Sequence, residues 1–265
     1  MAIDANFTRP NIGIVGGKGA MGSWFAHLVE PFAERVFRVG RGTDLTPAET
    51  ARRCDVVVIS VPIADTIKVI RELGPLVSEN ALLMDLTSIK EKPVKAMLQY
   101  SCAEVVGAHP LFGTEGKSAE GQRMVLCPGR GKKGLKWLTV VLERAGIKVV
   151  AMDPVEHDQI MGLIQGVNHF STLALGLCLV KSGFGFEEIL NCSTLTFEQR
   201  LDRIRSMVKQ PPELFESLLM DNPWAEESSE QYLDTIQTML RIIRSNDREA
   251  FGEFFKSLGT FLNSR

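Results

Sequence analysis

Six residues near the start of the chain, Gly17-Lys18-Gly19-Ala20-Met21-Gly22, have the spacing G-x-G-x-x-G. A β-rich run at 11–15 precedes them and a helical pattern at 21–33 follows. In that context the first glycine makes a tight turn and the second lets backbone approach a pyrophosphate. The third lets helix and strand pack closely. The pyrophosphate rests on the helix N-terminus, where free N–H groups and the dipole favour an anion. Gly17, Gly19, Ala20, Met21 and Gly22 are thus the expected cradle of a dinucleotide; the plain alternative is a glycine-rich turn without a ligand.

The second apolar run, 36–39, is followed by Gly40-Arg41-Gly42-Thr43. An NAD site usually has a carboxylate here to accept from the ribose 2′-hydroxyl. None occurs until Asp44. Arg41 instead offers a fixed cation, with the Thr43 hydroxyl nearby, which suits a 2′-phosphate. NADP is therefore favoured, with NAD as the alternative; an Arg41 on an exposed loop, with adenosine specificity set elsewhere, is the simpler reading. Three more segments follow apolar runs: Ser60-Val61-Pro62, Asp85-Leu86-Thr87-Ser88-Ile89-Lys90, and Gly107-Ala108-His109-Pro110 with the residues after it. Ligands of open α/β sheets bind beyond the carboxyl ends of the strands. These loops should converge on a nicotinamide ring, and Ser60, Val61 and Pro62 are expected to line the cofactor.

The elements that must position these residues are legible as short apolar runs at 11–15, 36–39, 55–61, 81–86, 104–107, 124–127 and 148–152. Nearly continuous apolar runs are strands buried on both faces, as in a parallel sheet. Helical patterns lie between several of them, notably 21–33, 64–73 and 132–145. The alternation predicts an α/β fold: an N-terminal Rossmann-type doubly wound domain, residues 1–153. After Asp153-Pro154 only helical patterns follow: 155–181, 186–189, 196–209, 212–220, 228–244 and 247–263. Residues 154–265 are expected to form an all-helical substrate and dimerisation domain.

Composition narrows the function class. The 265 residues are 45% hydrophobic and 23% charged, ordinary for a folded chain. Lys plus Arg number 30 against 32 Asp plus Glu, so no basic excess points to nucleic acid. Five cysteines are scattered without a Cys-x-x-Cys pair. That fits free thiols in a reducing compartment, and no metal site is expected. The stretch 160–180 is the most apolar, yet Gln165, Asn168 and His169 interrupt it. A buried helix of a soluble protein is expected rather than a membrane span. The first residues lack a charged-then-apolar signal pattern, and a cytoplasmic protein is expected. A helix apolar nearly all round must be covered on every side. Pairing of two subunits through the helical domain is expected; a central helix buried within one subunit is the alternative.

Together with the strand-end loops, Glu156-His157-Asp158-Gln159 and Asn168-His169-Phe170 give the chain its family likeness. From about residue 10 to 220 it resembles the prephenate/arogenate dehydrogenases. Gly-x-His-Pro and Glu-His-Asp-Gln are the more specific elements. The resemblance implies an NAD(P)-dependent oxidative decarboxylation in tyrosine biosynthesis, prephenate to 4-hydroxyphenylpyruvate. Arogenate or a 4-amino analogue is the alternative substrate. A hydride leaves C4, the 4-hydroxyl loses its proton and the C1 carboxylate departs as carbon dioxide.

His109 matches the family's catalytic histidine, and a neutral imidazole is the natural acceptor for the hydroxyl proton. Ser88 matches a serine that contacts the substrate hydroxyl and that histidine; it also suits an N-cap of a following helix. Lys90 is near enough to add a cation for the substrate. Thr114 and Glu115 resemble a substrate-gate segment, or form an ordinary turn. His169 resembles a second substrate histidine, with Gln165 on the same stripe as a pocket hydrogen-bonder or a satisfied helix amide. His157 lies twelve residues before His169 on one expected helix, about 120° around the axis, and reads as structural. The family's carboxylate-binding arginine falls in the column of Ser206, flanked by Arg200, Arg203 and Arg205. A slip of one residue, about 100° on a helix, would bring in Arg205; a solvated basic face is the alternative.

Two other readings compete with this one. A β-hydroxyacid dehydrogenase would carry a catalytic lysine on the long apolar helix, and none occurs between His157 and Val180. A catalytically inactive cofactor-binding homologue would explain Ser206 but not the retention of His109, Ser88 and His169. No mutase-like segment and no appended regulatory domain are expected, so tyrosine feedback of that kind is not implied.

Overall fold

Val56–Ile59 (β3) is a run of four β-branched residues, and none of the four has solvent exposure. A strand apolar on both faces lies inside a sheet covered on both sides. The computed structural model, which describes residues 9–114 and 118–264, places β3 between Asn11–Val15 (β1) and Leu82–Asp85 (β4). Arg35–Val39 (β2) is the edge next to β1. On the other side follow Glu104–Pro110 (β5), Arg123–Arg130 (β6) and Lys148–Ala151 (β7), giving the order β2-β1-β3-β4-β5-β6-β7. The chain leaves β1 for β2 on one side and returns to β3 on the other. The β1/β3 boundary is thus the switch point where such sheets bind ligands.

β1 to β5 are parallel, as the apolar runs predict, but β6 runs antiparallel to β5 and β7 follows β6. The reason lies in the connection. The loop of 111–122 has no helix among its described residues, and a chain without a crossover helix returns antiparallel.

Ala20–Val29 (α1) and Lys133–Arg144 (α5) cover one face, burying Phe25, Val29, Trp137 and Val141 against β1, β3 and β4. Pro47–Arg53 (α2), Ile63–Leu73 (α3) and Glu91–Tyr100 (α4) cover the other, with Ala51, Ile70 and Met97 in its core. Burying each large side chain of this kind stabilises the fold by about 1.5–3 kcal/mol. Short Pro154–Met161 (α6) and Pro212–Met220 (α10) complete this first compact unit, formed by Met1–Met161 with Gln210–Asn222.

Gly162–Lys209 and Pro223–Arg265 form a second, helical unit. It opens with a π-helical turn, Gly162–Val167, and continues as Asn168–Lys181 (α7), Phe186–Asn191 (α8) and Leu195–Val208 (α9). Pro223–Ser245 (α11) and Arg248–Asn263 (α12) follow. Gly162 and Gly166 let α11 approach closely: a Cβ at Gly162 would lie 2.7 Å from the Trp224 carbonyl oxygen. The π turn breaks the steady 100° step assumed for 155–181, so the angular relation expected between His157 and His169 does not hold. Nor is the apolar stretch buried within one chain. α7 contains no fully buried residue, and Leu177 and Val180 stand 60% and 80% exposed. By length and composition alone Pro154–Lys181 could cross a membrane.

Candidate active site

The glycine turn follows β1 directly. Gly16, one residue before the motif, carries the positive φ (84°) that makes the chain reverse, so the tight turn falls there rather than on Gly17. Its N–H donates to the Val39 carbonyl at 2.8 Å, tying the turn to the end of β2. A Cβ at Gly17 would lie 2.8 Å from the Cα of Arg38, and one at Gly22 would lie 2.6 Å from the Gly16 carbonyl oxygen. Gly19 is the N-cap of α1; no side chain caps that helix and its first turn holds no acid. Ala20 and Met21 form that first turn, exposed and half-buried respectively. An uncapped helix start on a turn where added side chains would collide fits a pyrophosphate.

At the end of β2, Arg41 is exposed and its carbonyl accepts from Lys18 Nζ at 3.2 Å. Thr43 is committed to its own turn, donating to Gly40 O at 2.8 Å and accepting from Gly40 N. Arg38, half-buried in β2, also faces this corner and reaches Ser23 Oγ at 3.4 Å. Ser60 N donates to Val15 O at 2.8 Å, which aligns the Ser60-Val61-Pro62 loop beside the glycine turn. Pro62 is the N-cap of α3.

On the strand next to β3, Asp85 ends β4 with no solvent exposure and forms an ion pair with Lys90, equally buried. Thr87 donates to the same carboxylate through its N–H at 3.0 Å and its hydroxyl at 2.5 Å. Lys90 Nζ also donates to Ala108 O at 2.9 Å. Gly107 makes room, since a Cβ there would lie 3.1 Å from Lys90 Cδ. The sequence assigned Lys90 to a substrate. The structure corrects this: an ammonium needs a partner when it leaves water, and Asp85 is that partner.

His109, in β5, is 2% exposed. Its Nδ1 lies 2.8 Å from Nε2 of His157, whose Nδ1 lies 2.7 Å from Asp158 Oδ1. The Asp158 carboxylate also accepts from the backbone N–H groups of Lys90 at 2.8 Å and Glu91 at 2.9 Å. The cap of α4 is therefore Asp158, reaching in from α6, and not Ser88. Ser88 sits half-buried on the loop between β4 and α4. Burial, then the neighbouring His157 and Lys90, hold the His109 imidazole well below its ordinary pKa. It is neutral, with lone-pair capacity, at neutral pH. Beyond it, Phe112 packs edge-on against Trp24 of α1 with ring centroids 4.9 Å apart. That contact fastens the loop after His109 to the helix that begins at the glycine turn. Thr114 is half-buried on this loop, and Glu115 lies outside the described residues.

In the second unit, Gln165 lies half-buried in the π turn and His169 half-buried in α7. Burial and then Arg203 lower the His169 pKa. Arg205 is engaged elsewhere: its guanidinium lies over the Phe186 ring at 4.7 Å and pairs with Asp202 at 3.0 Å. Arg203 and Arg205 are about 200° apart on one helix, so their side chains leave it on different faces. Ser206 is exposed. In the sequence, His157 read as structural, Asp158 and Asp85 had no role, and Arg203 stood only as a flank of Ser206. The Glu-His-Asp-Gln element carried the signal for the first two, but its role depends on contacts 48 to 68 residues apart.

Comparison with known proteins gives the chain a family and its fold solved relatives. Residues 33–151 match the family described as "Prephenate dehydrogenase, nucleotide-binding domain". Residues 153–257 match "Prephenate dehydrogenase, dimerization domain". The chain is 32% identical over 97% of its length to the "Probable arogenate/prephenate dehydrogenase" of Methanocaldococcus jannaschii, covering 62% of that protein. It is 33% identical over 91% of its length to the "T-protein" of Haemophilus influenzae, covering 64%. The chain thus spans less than two thirds of the length of these relatives. Among solved structures, prephenate dehydrogenase from A. aeolicus, in complex with hydroxyphenyl propionate and NAD+, has the same fold. Its TM-score is 0.78 at 22% identity, covering 94% of this chain and 96% of that one. Two matched domains in their order, on this sheet and these strand ends, establish that the chain belongs to the prephenate dehydrogenase family.

Proposed function

We propose that this chain catalyses the NADP-dependent oxidative decarboxylation of prephenate to 4-hydroxyphenylpyruvate. The observation that carries this reading is His109: a buried, neutral imidazole at a strand end of a sheet that also presents an uncapped helix N-terminus at its switch point. The A. aeolicus relative, solved with NAD+ and a hydroxyphenyl acid, supports it.

The glycine turn and the first N–H groups of α1 hold the pyrophosphate; Ser60, Val61 and Pro62 line the nucleotide. When bound, the nicotinamide ring accepts a hydride. His109 takes the proton of the substrate's 4-hydroxyl as C4 gives up that hydride. As the C1 carboxylate leaves, its bonding pair flows into the ring, which aromatises. The proton then returns from His109 to the oxygen, so proton and electron counts balance. Ser88 orients the hydroxyl. Thr114 belongs to the loop that closes over the substrate. In the helical domain, here taken as residues 154–265, His169 and Gln165 contact the substrate's acidic end. Arg203 supplies the cation there, because Arg205 is occupied by Phe186 and Asp202.

NADP is chosen over NAD because β2 ends without a carboxylate and presents Arg38 and Arg41. A homodimer through the helical domain is supported by the exposed Leu177, Val180, Phe255 and Phe261, too much apolar surface to leave in water. With that face covered, a soluble cytoplasmic enzyme is the consistent reading.

A steady-state matrix of prephenate and arogenate against NADP and NAD tests the whole, followed by absorbance of the reduced nicotinamide. Prephenate with NADP should be the best pair. Preference for arogenate would replace the substrate, preference for NAD would remove the 2′-phosphate argument, and no reduction with any pair would remove the activity.

A further inference from the structure

Lys18 stands between the first two glycines of the turn, and its side chain runs to the end of β2. A Cβ at Gly40 would lie 3.7 Å from Cδ and 3.9 Å from Cβ of Lys18, so the lysine stem lies over Gly40. Beyond it, Nζ donates to the Arg41 carbonyl at 3.2 Å. An ammonium has three N–H donors, and among the described residues this bond takes one of them. The same corner holds two more cations. Arg38 passes so near the turn that a Cβ at Gly17 would lie 2.8 Å from its Cα, and its guanidinium reaches Ser23 Oγ of α1 at 3.4 Å. Arg41 is exposed. Among the described residues no carboxylate pairs with Lys18, Arg38 or Arg41. The acids nearest in sequence to this end of β2 are Asp44 and Glu34, and Glu34 pairs with Arg9 at 3.7 Å. Like charges at one corner without a counter-ion make a positive field that attracts an anion.

In a dinucleotide site an acid at the end of β2 accepts from the ribose 2′-hydroxyl, whereas a cation there accommodates a 2′-phosphate. We infer that Lys18 is a specificity-determining residue: its ammonium, delivered from the glycine turn to the tip of β2, takes the 2′-phosphate of NADP and sets the choice against NAD. The inference rests on the NADP reading above and adds to it a residue from outside β2. A phosphate monoester offers only acceptors at neutral pH, so its site must supply donors. Thr43 has a single hydroxyl proton, already directed to the carbonyls of Gly40 at 2.8 Å and Leu45 at 3.0 Å, and it has no second one to give. Lys18 does have donors to give. Its head is already held at the tip of β2 by the Arg41 carbonyl, so little side-chain freedom is lost when an anion arrives. Its backbone belongs to the turn expected to hold the pyrophosphate, so one residue fixes the spacing between the two phosphate positions.

Dissociation constants for NADPH and NADH, read by nicotinamide fluorescence, test this in the wild type, Lys18→Gln and Lys18→Arg. Gln keeps a donor for the Arg41 carbonyl and removes the charge; Arg keeps both. The wild type should hold NADPH more tightly than NADH. Lys18→Gln should weaken NADPH roughly 10–100-fold, the size of one charged hydrogen bond, and NADH by no more than a few fold. Lys18→Arg should keep most of the preference. Adenosine 2′,5′-bisphosphate against 5′-AMP should repeat the pattern without a nicotinamide. Lys18 is exposed, so the variants should fold with unchanged melting temperatures. Equal weakening of NADPH and NADH by Lys18→Gln would give Lys18 to the shared pyrophosphate. No weakening of either would leave the 2′-phosphate to Arg38 and Arg41. Both results overturn the inference and leave the NADP reading standing, whereas a wild type that holds NADH more tightly overturns the two together. NADPH binding with this pattern but without oxidation of prephenate would remove the activity proposed above and keep Lys18 in its role.

Discussion

Lys90 and Asp85 form an ion pair from which water is wholly excluded, five residues apart across the β4–α4 loop. The pair sits directly beneath the His109 segment, through the bond from Lys90 Nζ to Ala108 O. Removing one partner leaves a buried charge without a counter-ion. Lys90→Met should therefore cost about 3–5 kcal/mol in stability, whereas Lys90→Met combined with Asp85→Asn should cost clearly less. Urea denaturation of the three proteins measures this. Equal losses in single and double variants would show that the two charges are not coupled.

His109→Asn should reduce turnover of prephenate by roughly 10²–10⁴-fold, the usual contribution of a positioned base. Cofactor affinity, read by fluorescence titration of the nicotinamide, should stay within a few fold. Unchanged turnover would remove this imidazole from the reaction.

Gly22→Ala places a methyl group against backbone of Gly16 and Gly17, which cannot swing aside as a side-chain tip can. Overpacking of this kind costs roughly 1–3 kcal/mol. The turn that shifts is the one expected to hold the pyrophosphate, so the dissociation constant for NADP should rise along with the loss in melting temperature. Gly42→Ala meets no atom within 4 Å but carries φ +71°, and so tests strain on a loop without crowding.

Arg203 and Arg205 should separate cleanly. Loss of a charged hydrogen bond to a carboxylate is worth about 1.5–3 kcal/mol. Arg203→Ala should raise KM for prephenate roughly 10–100-fold, since about 1.4 kcal/mol is tenfold. Arg205→Ala, which releases only Asp202 and Phe186 on the surface, should change KM little. The reverse order would restore Arg205 to the substrate.

Stability should depend on pH in a defined direction. Burial depresses the folded pKa of His109, and of His169, below the ordinary 6.5. As pH falls past that value the unfolded chain takes up protons that the folded chain refuses, so stability is complete above it and is lost below it. The melting temperature should be level above about pH 7 and decline below about pH 6.5. His109→Asn should make the decline shallower. An identical slope in wild type and variant would mean that His109 protonates freely in the fold.

The strands at 11–15, 36–39 and 55–61 and the helix at 64–73 were legible in the sequence because each is a local pattern, a period of apolar residues closed by glycine or proline. The glycine turn was legible for the same reason, being one contiguous motif. Two things misled local reasoning: α4 lacks a side-chain cap of its own, and β6 pairs by the geometry of its connection rather than by its composition. The site was half visible. His109 could be singled out as a lone histidine before a proline at a strand end, but nothing near it names its partners. His157 and Asp158 reach it from 48 residues away or more, Lys90 spends its charge on Asp85, and Arg205 turns its own to Asp202 and the Phe186 ring. By itself the sequence determined which segments are strands and helices and which family they belong to. Burial, hydrogen-bond direction and the choice of charge partner depend on distance in space, and only the tertiary structure decides that.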